Sequence, residues 1–98
     1  MMFEWDEVKR QTTLQKHGID FVDAIEVFDQ PHLRLTGISK VEQREIVIGS
    51  VRKITIAVVF TMRGDVTRII TVRRARRNER EAYEAHVAGR NPPVEGQD

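Results

Sequence analysis

The chain of 98 residues contains no cysteine, which excludes a disulfide framework and any metal site built from thiolates. It also lacks a run of about 18 apolar residues, the length that a membrane-spanning helix requires. The first ten residues include Glu4, Asp6 and Glu7, where a secretory signal peptide would need a basic end and an apolar stretch. We therefore expect a small cytoplasmic protein that does not enter a membrane.

Recognisable cofactor motifs are also missing. Nothing in the sequence resembles a phosphate-binding P-loop, a glycine-rich nucleotide motif or the nucleophile elbow of a hydrolase. The three histidines, His17, His32 and His86, do not have the spacing of a zinc-binding set. We expect neither a bound metal ion nor an organic cofactor.

Positive charge is abundant, and it is concentrated in one stretch. Residues 52–80 contain nine basic and two acidic side chains, a local net charge of +7, whereas the whole chain has a formal net charge of +1. Eight of these nine basic residues are arginine, whose planar guanidinium can donate two parallel hydrogen bonds to a phosphate group. Such polarisation is typical of a phosphate-binding face.

The hydrophobic pattern predicts an α+β domain in the order β-α-α-β-β-β-β-α. Asp6 and Asp20 are placed to cap two successive helices, and Gly18 supplies a left-handed stop between them. In the second helix a buried stripe is expected, consisting of Phe21, Ala24, Ile25 and Phe28.

A small antiparallel sheet should follow, with one C-terminal helix after it. Alternation begins at Leu33 and reaches Ile38, and β-branched runs over residues 45–51, 53–62 and 66–73 predict further strands, of which 54–60 is central. The last helix is expected over 77–86. We predict one domain over residues 1–88 and a flexible tail over 89–98, which is rich in proline and glycine.

The junction of the last strand and the last helix gathers four arginines within five residues, Arg73-Arg74-Ala75-Arg76-Arg77. One interpretation is a site for the backbone of RNA or DNA, and the other is a solvated helix start. Cations at a helix N-terminus oppose the macrodipole, so bound anions would compensate for them. Strict strand alternation places Arg68 and Arg73 on opposite faces of the sheet.

The step Lys16-His17 is a second candidate site, because an imidazole can act as a general acid or base near neutral pH. Alternatively, His17 simply ends the first helix before Gly18. Trp5 could be a core residue or a platform for a base, Tyr83 could pack or contact RNA, and Glu79 could form ion pairs or accept a proton.

Two blocks of residues carry a family resemblance. The first contains Trp5-Asp6-x-x-Lys9, Leu14-x-Lys16-His17-Gly18-x-x-Phe21-x-x-Ala24 and Val27-Phe28, and the second contains Arg68-Ile69-Ile70, Arg73-x-Ala75 and Glu79-Arg80-x-x-Tyr83. In this order, around a β-rich middle, they resemble the BrnT toxins of bacterial type II toxin–antitoxin systems over residues 3–86. The chain departs from the usual pattern at Thr13, where asparagine is common, and at Arg76, where a capping threonine or serine is frequent.

The resemblance implies a RelE-like fold and an endoribonuclease that cleaves RNA and arrests translation. It also implies a BrnA-type antitoxin partner, whose ribbon-helix-helix domain would provide the only link to DNA. Without a metal, the 2′-hydroxyl of the RNA would attack the adjacent phosphate, which requires a base, an acid and cations. The expected catalytic residues are His17, Lys16, Arg68, Arg73 and Arg77, and the expected RNA-binding residues are Arg63, Arg74, Arg76, Arg80 and Tyr83.

Two other functions remain open at this point. Every basic feature would serve equally well in a module that binds nucleic acid or an antitoxin without catalysis. A degenerate toxin that keeps partner binding but has lost turnover is the third possibility, and Thr13 favours it. The enzyme needs a titrating group and a rate that depends on pH, whereas a binder needs only cations and a steep salt dependence.

Overall fold

The computed structural model describes residues 1–37 and 44–89. The elements follow the predicted order, with the second helix reduced to one α-helical turn that continues as a 3₁₀ turn. They are β1 (Met2–Glu4), α1 (Glu7–His17), α2 (Phe21–Ala24), the 3₁₀ turn (Ile25–Asp29), β2 (Leu33–Gly37), β3 (Arg44–Val51), β4 (Ile54–Arg63), β5 (Val66–Arg74) and α3 (Arg77–Val87). Ile38 and the predicted tail after Gly89 lie outside the described residues. None of the described helices is long and apolar enough to cross a membrane.

The five strands form one sheet in the order β1-β5-β4-β3-β2. The central position of β4 confirms the prediction for residues 54–60, five of which are at most 9% exposed. Strands β2 to β5 are antiparallel, as expected. β1 instead joins β5 in parallel, with Met2 opposite Val66 and Glu4 opposite Arg68, so the sheet is mixed rather than purely antiparallel.

Local capping fixes the two N-terminal helices. The carboxylate of Asp6 accepts hydrogen bonds from the backbone N–H groups of Val8 and Lys9, and Gly18 ends α1 with a φ of 69°. Asp20 accepts from the N–H of Val22 and so begins α2. These three predicted helix signals are confirmed, because each depends only on neighbouring residues.

The helical layer packs on one face of the sheet. Phe21 and Ala24 are fully buried, as predicted, but Val27 is also fully buried, whereas Ile25 and Phe28 are only half-buried. Ile25 and Phe28 still pack against the core, so the expected stripe is confirmed in part, and Val27 joins it because the 3₁₀ turn has three residues per turn rather than 3.6. A side chain at Gly49 of β3 would place its Cβ 2.2 Å from Val27 Cγ1, so this turn lies directly on the strand.

β5 contains a bulge. Val59 of β4 pairs with Thr71, whereas the next residue, Phe60, pairs with Ile69. Ile70 therefore has no pairing partner on β4. Such an extra residue bends its strand and shifts the alternation of side chains beyond it.

The bulge changes which side chains share a face. Ile69 and Val72 both belong to the core beneath the helical layer and are at most 2% exposed, although strict alternation would separate them. Arg68 precedes Ile69 and Arg73 follows Val72, so both arginines point away from that core. The prediction that they lie on opposite faces is wrong, since it assumed an unbroken period of two.

The opposite face of the sheet is covered at one end by α3, which packs against β2 and β3. Ile48 and Ala57 pair across β3 and β4 and are fully buried, although they face away from the helical layer. The chain thus has a second, smaller apolar contact between α3 and the sheet. This contact positions the arginine-rich start of α3 beside the ends of β4 and β5.

Candidate nucleic-acid interface

The junction between β5 and α3 is short and well defined. Only Ala75 and Arg76 separate the strand from the helix, and the N–H of Ala75 donates to the carbonyl of Thr55 at 3.0 Å. Arg76 is the N-cap residue of α3 and has extended φ and ψ angles of −74° and 163°. The four arginines of this junction are therefore held close together by backbone geometry.

Arg73 is tied to the first turn of α3. Its guanidinium donates from Nη1 and Nη2 to the two carboxylate oxygens of Glu79, at 2.8 and 2.9 Å. Glu79 is only 7% exposed, and it also accepts from the backbone N–H of Arg76 at 2.7 Å. The interpretation of Glu79 as an ion-pair partner is confirmed.

Electrostatics at this pair follow from its geometry. The hydrogen bonds from Arg73 lower the pKa of Glu79 below its ordinary value, and they outweigh the opposing effect of burial. The same bonds raise the pKa of Arg73. By accepting from the N–H of Arg76, the Glu79 carboxylate also supplies half of a capping box, whereas Arg76 has no side-chain oxygen to supply the other half.

The other two arginines among the expected catalytic residues, Arg68 and Arg77, have more exposed partners. Arg68 donates to Glu4 at 3.0 Å, with the two side chains 31% and 40% exposed. Arg77 donates to Glu81 one turn later at 3.2 Å, with the two side chains 84% and 60% exposed. Phosphate oxygens can compete for guanidinium groups in such open pairs far more easily than for the buried Arg73.

Several predicted RNA-binding cations have no such partner. Within residues 1–37 and 44–89, no hydrogen bond or ion pair is formed by the side chains of Arg63, Arg74, Arg76 or Arg80. Arg74 and Arg80 line one groove, together with Lys53, Thr55 and Glu84. We call it the junction groove, because it lies where the start of β4 meets the β5–α3 junction.

Lys16 and His17 lie apart from this groove. Both side chains are exposed in the last turn of α1, and neither makes a hydrogen bond or ion pair with the described part of the chain. The following residue, Gly18, lines a separate pocket with Val51 and Ile54. The structure therefore brings together the arginines near α3 and does not join them to the Lys16-His17 step by any direct contact.

The two aromatic candidates have different environments. Trp5 stacks edge-on against Phe21, with ring centroids 6.1 Å apart, and its indole N–H donates to Glu7 at 3.2 Å. The interpretation of Trp5 as a residue that flanks the core is thus confirmed. Tyr83 is half-buried on α3, which leaves part of its ring accessible for a contact with RNA.

Comparison with known proteins identifies the family. A family model described as the ribonuclease toxin BrnT of type II toxin–antitoxin systems matches residues 5–79, from the residue before the Asp6 cap to the glutamate that binds Arg73. The chain belongs to the BrnT toxin family. A crystal structure of the ribonuclease toxin BrnT of Brucella abortus is 36% identical and covers 79% of this chain and 100% of the other, with a TM-score of 0.60. No curated protein matches the chain.

Membership of the BrnT family confirms the resemblance seen in the sequence and the α+β fold. It also assigns the protein to the ribonuclease toxins of type II toxin–antitoxin systems, whose members act with an antitoxin partner. The cationic surface of this BrnT-family protein therefore belongs to a protein class that acts on RNA.

Lys53 is the residue of the BrnT-family surface that sequence reasoning missed. It lies in the two-residue turn between β3 and β4, where Arg52 and Lys53 have φ angles of 51° and 70°, as in a type I′ hairpin. Because Ile56 of β4 pairs with Arg74, the start of β4 extends past the end of β5. The sequence already placed Lys53 in a predicted turn. Its position beside Arg74 could be inferred only from the register of β4 and β5.

Proposed function

We propose that this BrnT-family protein is a metal-independent endoribonuclease of the cytoplasm that cleaves RNA and so inhibits translation. We further propose that a BrnA-type antitoxin with a ribbon-helix-helix domain neutralises it, and that it contacts DNA only through that antitoxin. The junction groove carries the proposal, because Lys53, Arg74 and Arg80 line it without any ion-pair partner in the described residues.

Charge balance in the junction groove favours a phosphate ligand. Three cationic side chains face one carboxylate, that of Glu84, so the groove has an uncompensated positive charge. Arginine binds phosphate through two parallel hydrogen bonds, whereas lysine acts as a point charge. The backbone of single-stranded RNA meets both requirements, since it offers phosphates at regular intervals.

We assign the catalytic roles as follows. The 2′-hydroxyl attacks the adjacent phosphorus and gives up its proton to His17, while the 5′-oxygen leaves with a proton from Lys16. Arg77 places positive charge around the phosphorane, and Arg68, farther along β5, places positive charge around another phosphate of the same strand, because their exposed carboxylate partners can be displaced. Arg73 contributes charge to the same region, but its buried pair with Glu79 suits it better to holding the junction in place.

Arg63, Arg74, Arg76, Arg80 and Tyr83 are the proposed RNA-binding residues around this centre. Four of them are arginines whose side chains form no hydrogen bond or ion pair in the described part of the chain, and they would position the sugar-phosphate backbone. The half-buried Tyr83 would stack against a base, a contact that tolerates any sequence.

The test is an RNA cleavage assay with purified protein in the presence of a chelator. We expect fragments that end in 2′,3′-cyclic phosphate, and at least a tenfold lower rate for the double variant Arg74→Gln/Arg80→Gln. Arg34→Gln is the matched control. It removes one guanidinium from β2, where Arg34 forms a half-exposed pair with Glu45 of β3. Intact RNA with the folded wild-type protein, or a rate restored only by added divalent metal, would contradict the proposal.

A non-catalytic binding module is the second candidate. In the described part of the chain, Glu79 and Glu81 are the carboxylates that pair with the arginine junction, and the oxygens of Glu79 already accept from Arg73 and Arg76. Binding of RNA by the wild-type protein without cleavage over a broad pH range would favour this candidate. Growth arrest on expression, relieved by the product of the neighbouring gene, would instead support the toxin.

A further inference from the structure

A second groove with free positive charge lies beside the bulge of β5. It is lined by Asp6 and Lys9 from the start of α1 and by Arg68, Ile69 and Ile70 from β5. We call it the bulge groove. Lys9 is not among the proposed catalytic or RNA-binding residues. Arg68 is the only one of those residues that lines this groove.

The position of the bulge groove follows from the sheet. β1 pairs with β5 only from Met2 to Glu4, and its last residue lies opposite Arg68. The chain then leaves the sheet and begins α1 at Glu7, so that β5 beyond Arg68 is not paired with β1. The groove therefore lies along this unpaired edge of β5, beside the bulge residue Ile70, where Lys9 comes from the helical layer and Arg68 from the opposite face of the sheet.

The charges that face this space are mainly positive. The Lys9 ammonium makes no hydrogen bond or ion pair within residues 1–37 and 44–89. Asp6 faces the groove as well, but its carboxylate accepts from the backbone N–H groups of Val8 and Lys9, and the positive end of the helix dipole offsets its charge. Among the described residues, Arg68 has one ion-pair partner, the half-exposed Glu4.

The walls of the groove strengthen an ionic contact. Ile69 is 2% exposed and Ile70 is half-buried, so one side of the space is apolar. A charge-assisted hydrogen bond is stronger beside such a wall than in open water. A lysine and an arginine that share a groove of this kind suit an anion with several oxygens.

We propose that Lys9 and Arg68 together bind one backbone phosphate of the RNA substrate, at a subsite separate from the junction groove. This inference rests on the proposed function, since it assumes that RNA is the ligand. Arg68 and Arg74 are six residues apart on β5, and with one residue lost to the bulge this is roughly 17 Å at about 3.3 Å per residue. A single RNA strand of several nucleotides is long enough to cover this distance.

Glu4 has a defined part in this arrangement. It holds the Arg68 guanidinium in the absence of RNA, and the incoming phosphate must take its place. Because both side chains are partly exposed, the exchange of one anion for another costs little. Arg68 is therefore kept in position by a carboxylate that the substrate displaces.

The test is binding of a short single-stranded RNA whose 2′-O-methyl groups prevent cleavage, followed by fluorescence anisotropy over a range of salt concentrations. We expect three- to tenfold weaker binding for Lys9→Gln and for Arg68→Gln. The double variant should reduce the slope of log K against log salt by about 0.7, the value for one phosphate of a single strand. Because the two side chains bind the same phosphate, their effects should not be additive.

Controls separate this subsite from the proposed function. Arg34→Gln, on the far strand β2, should leave affinity and slope unchanged, and Lys9→Glu should weaken binding further than Lys9→Gln. If Arg74→Gln/Arg80→Gln weakens binding while Lys9→Gln and Arg68→Gln do not, the subsite is wrong and the RNA-binding function stands. If the folded wild-type protein binds no RNA at any salt concentration, both proposals fall.

Discussion

Arg73 and Glu79 join the last strand of the sheet to the last helix through two parallel hydrogen bonds of 2.8 and 2.9 Å. The pair is largely excluded from solvent, with the two side chains 23% and 8% exposed. It fixes the direction in which α3 leaves the sheet, and with it the position of every cation on the junction groove. An effect of Arg73 substitutions on RNA cleavage would therefore combine altered chemistry with altered structure.

Arg73→Ala should lower the free energy of unfolding by about 3 kcal/mol, because it leaves the buried Glu79 carboxylate without its main partner. Urea denaturation followed by circular dichroism measures this change. Arg77→Ala is the matched control, since it removes a guanidinium four residues away whose pair with Glu81 is exposed, and it should leave the midpoint unchanged. Equal midpoints for the two variants would show that the Arg73–Glu79 pair is not structural.

The stability of the protein should also depend on pH through Glu79. Its folded-state pKa lies below the ordinary value of 4.5, so the ionised form is the one that the fold stabilises. This contribution is complete above pH 4.5 and is lost as the pH falls through the lowered pKa. The melting temperature should drop on acidification below that point, and it should drop less in Glu79→Gln. Asp20, whose pKa Arg10 also lowers, should contribute equally to both curves. Parallel curves for the two proteins would contradict the role of Glu79 in this pH dependence.

Glu84→Gln should strengthen RNA binding two- to fivefold, because Glu84 is the carboxylate that lines the junction groove beside Lys53, Arg74 and Arg80. Glu26→Gln provides the comparison, since it removes the same charge from the exposed side of the 3₁₀ turn, at a residue outside that lining. Anisotropy measurements at fixed salt would decide the point. A similar gain for both variants would indicate a general charge effect rather than a local one.

Glu4→Gln should raise the affinity for RNA, because Arg68 then no longer has to exchange a carboxylate for a phosphate. The expected change is a two- to fivefold gain in affinity, accompanied by little loss of stability because the pair is half-exposed. The gain should disappear in the Arg68→Gln background. Weaker binding by Glu4→Gln would mean that Glu4 orients Arg68 for the RNA rather than competes with it.

Gly49→Ala should destabilise the fold by about 1–3 kcal/mol through overpacking, because the new Cβ would lie 2.2 Å from Val27 Cγ1. Val27→Ala removes that methyl group, so the double variant Gly49→Ala/Val27→Ala should be more stable than the sum of the two single effects predicts. Thermal unfolding of all four proteins gives the coupling energy. Strict additivity would show that the 3₁₀ turn moves away from the strand without cost.

Features that depend on neighbouring residues could be predicted from the sequence. The caps at Asp6 and Asp20 and the stop at Gly18 were found because each acts within one helical turn. The central strand could be predicted because its apolar residues cover both faces. The arginine-rich junction could also be predicted, because its four arginines lie within five consecutive residues.

Long-range pairing explains what could not be predicted. The parallel pairing of β1 with β5 joins residues more than 60 positions apart, as in Glu4 and Arg68. The bulge at Ile70 depends on a register that only the folded sheet defines. Lys53 and Lys9 could not be placed beside Arg74 and Arg68 for the same reason, since each pair meets through tertiary packing.

The unpaired Ile70 has a consequence for how this surface can evolve. Arg73 follows Arg68 by five positions in the chain. In a regular strand, two side chains an odd number of positions apart point to opposite faces of the sheet. One additional residue reverses that parity, so both cations lie on the face away from the helical layer while hydrophobic neighbours on either side of the insertion stay inside. Deletion of this single isoleucine would either expose an apolar side chain or bury a guanidinium, although no charged residue would have been altered.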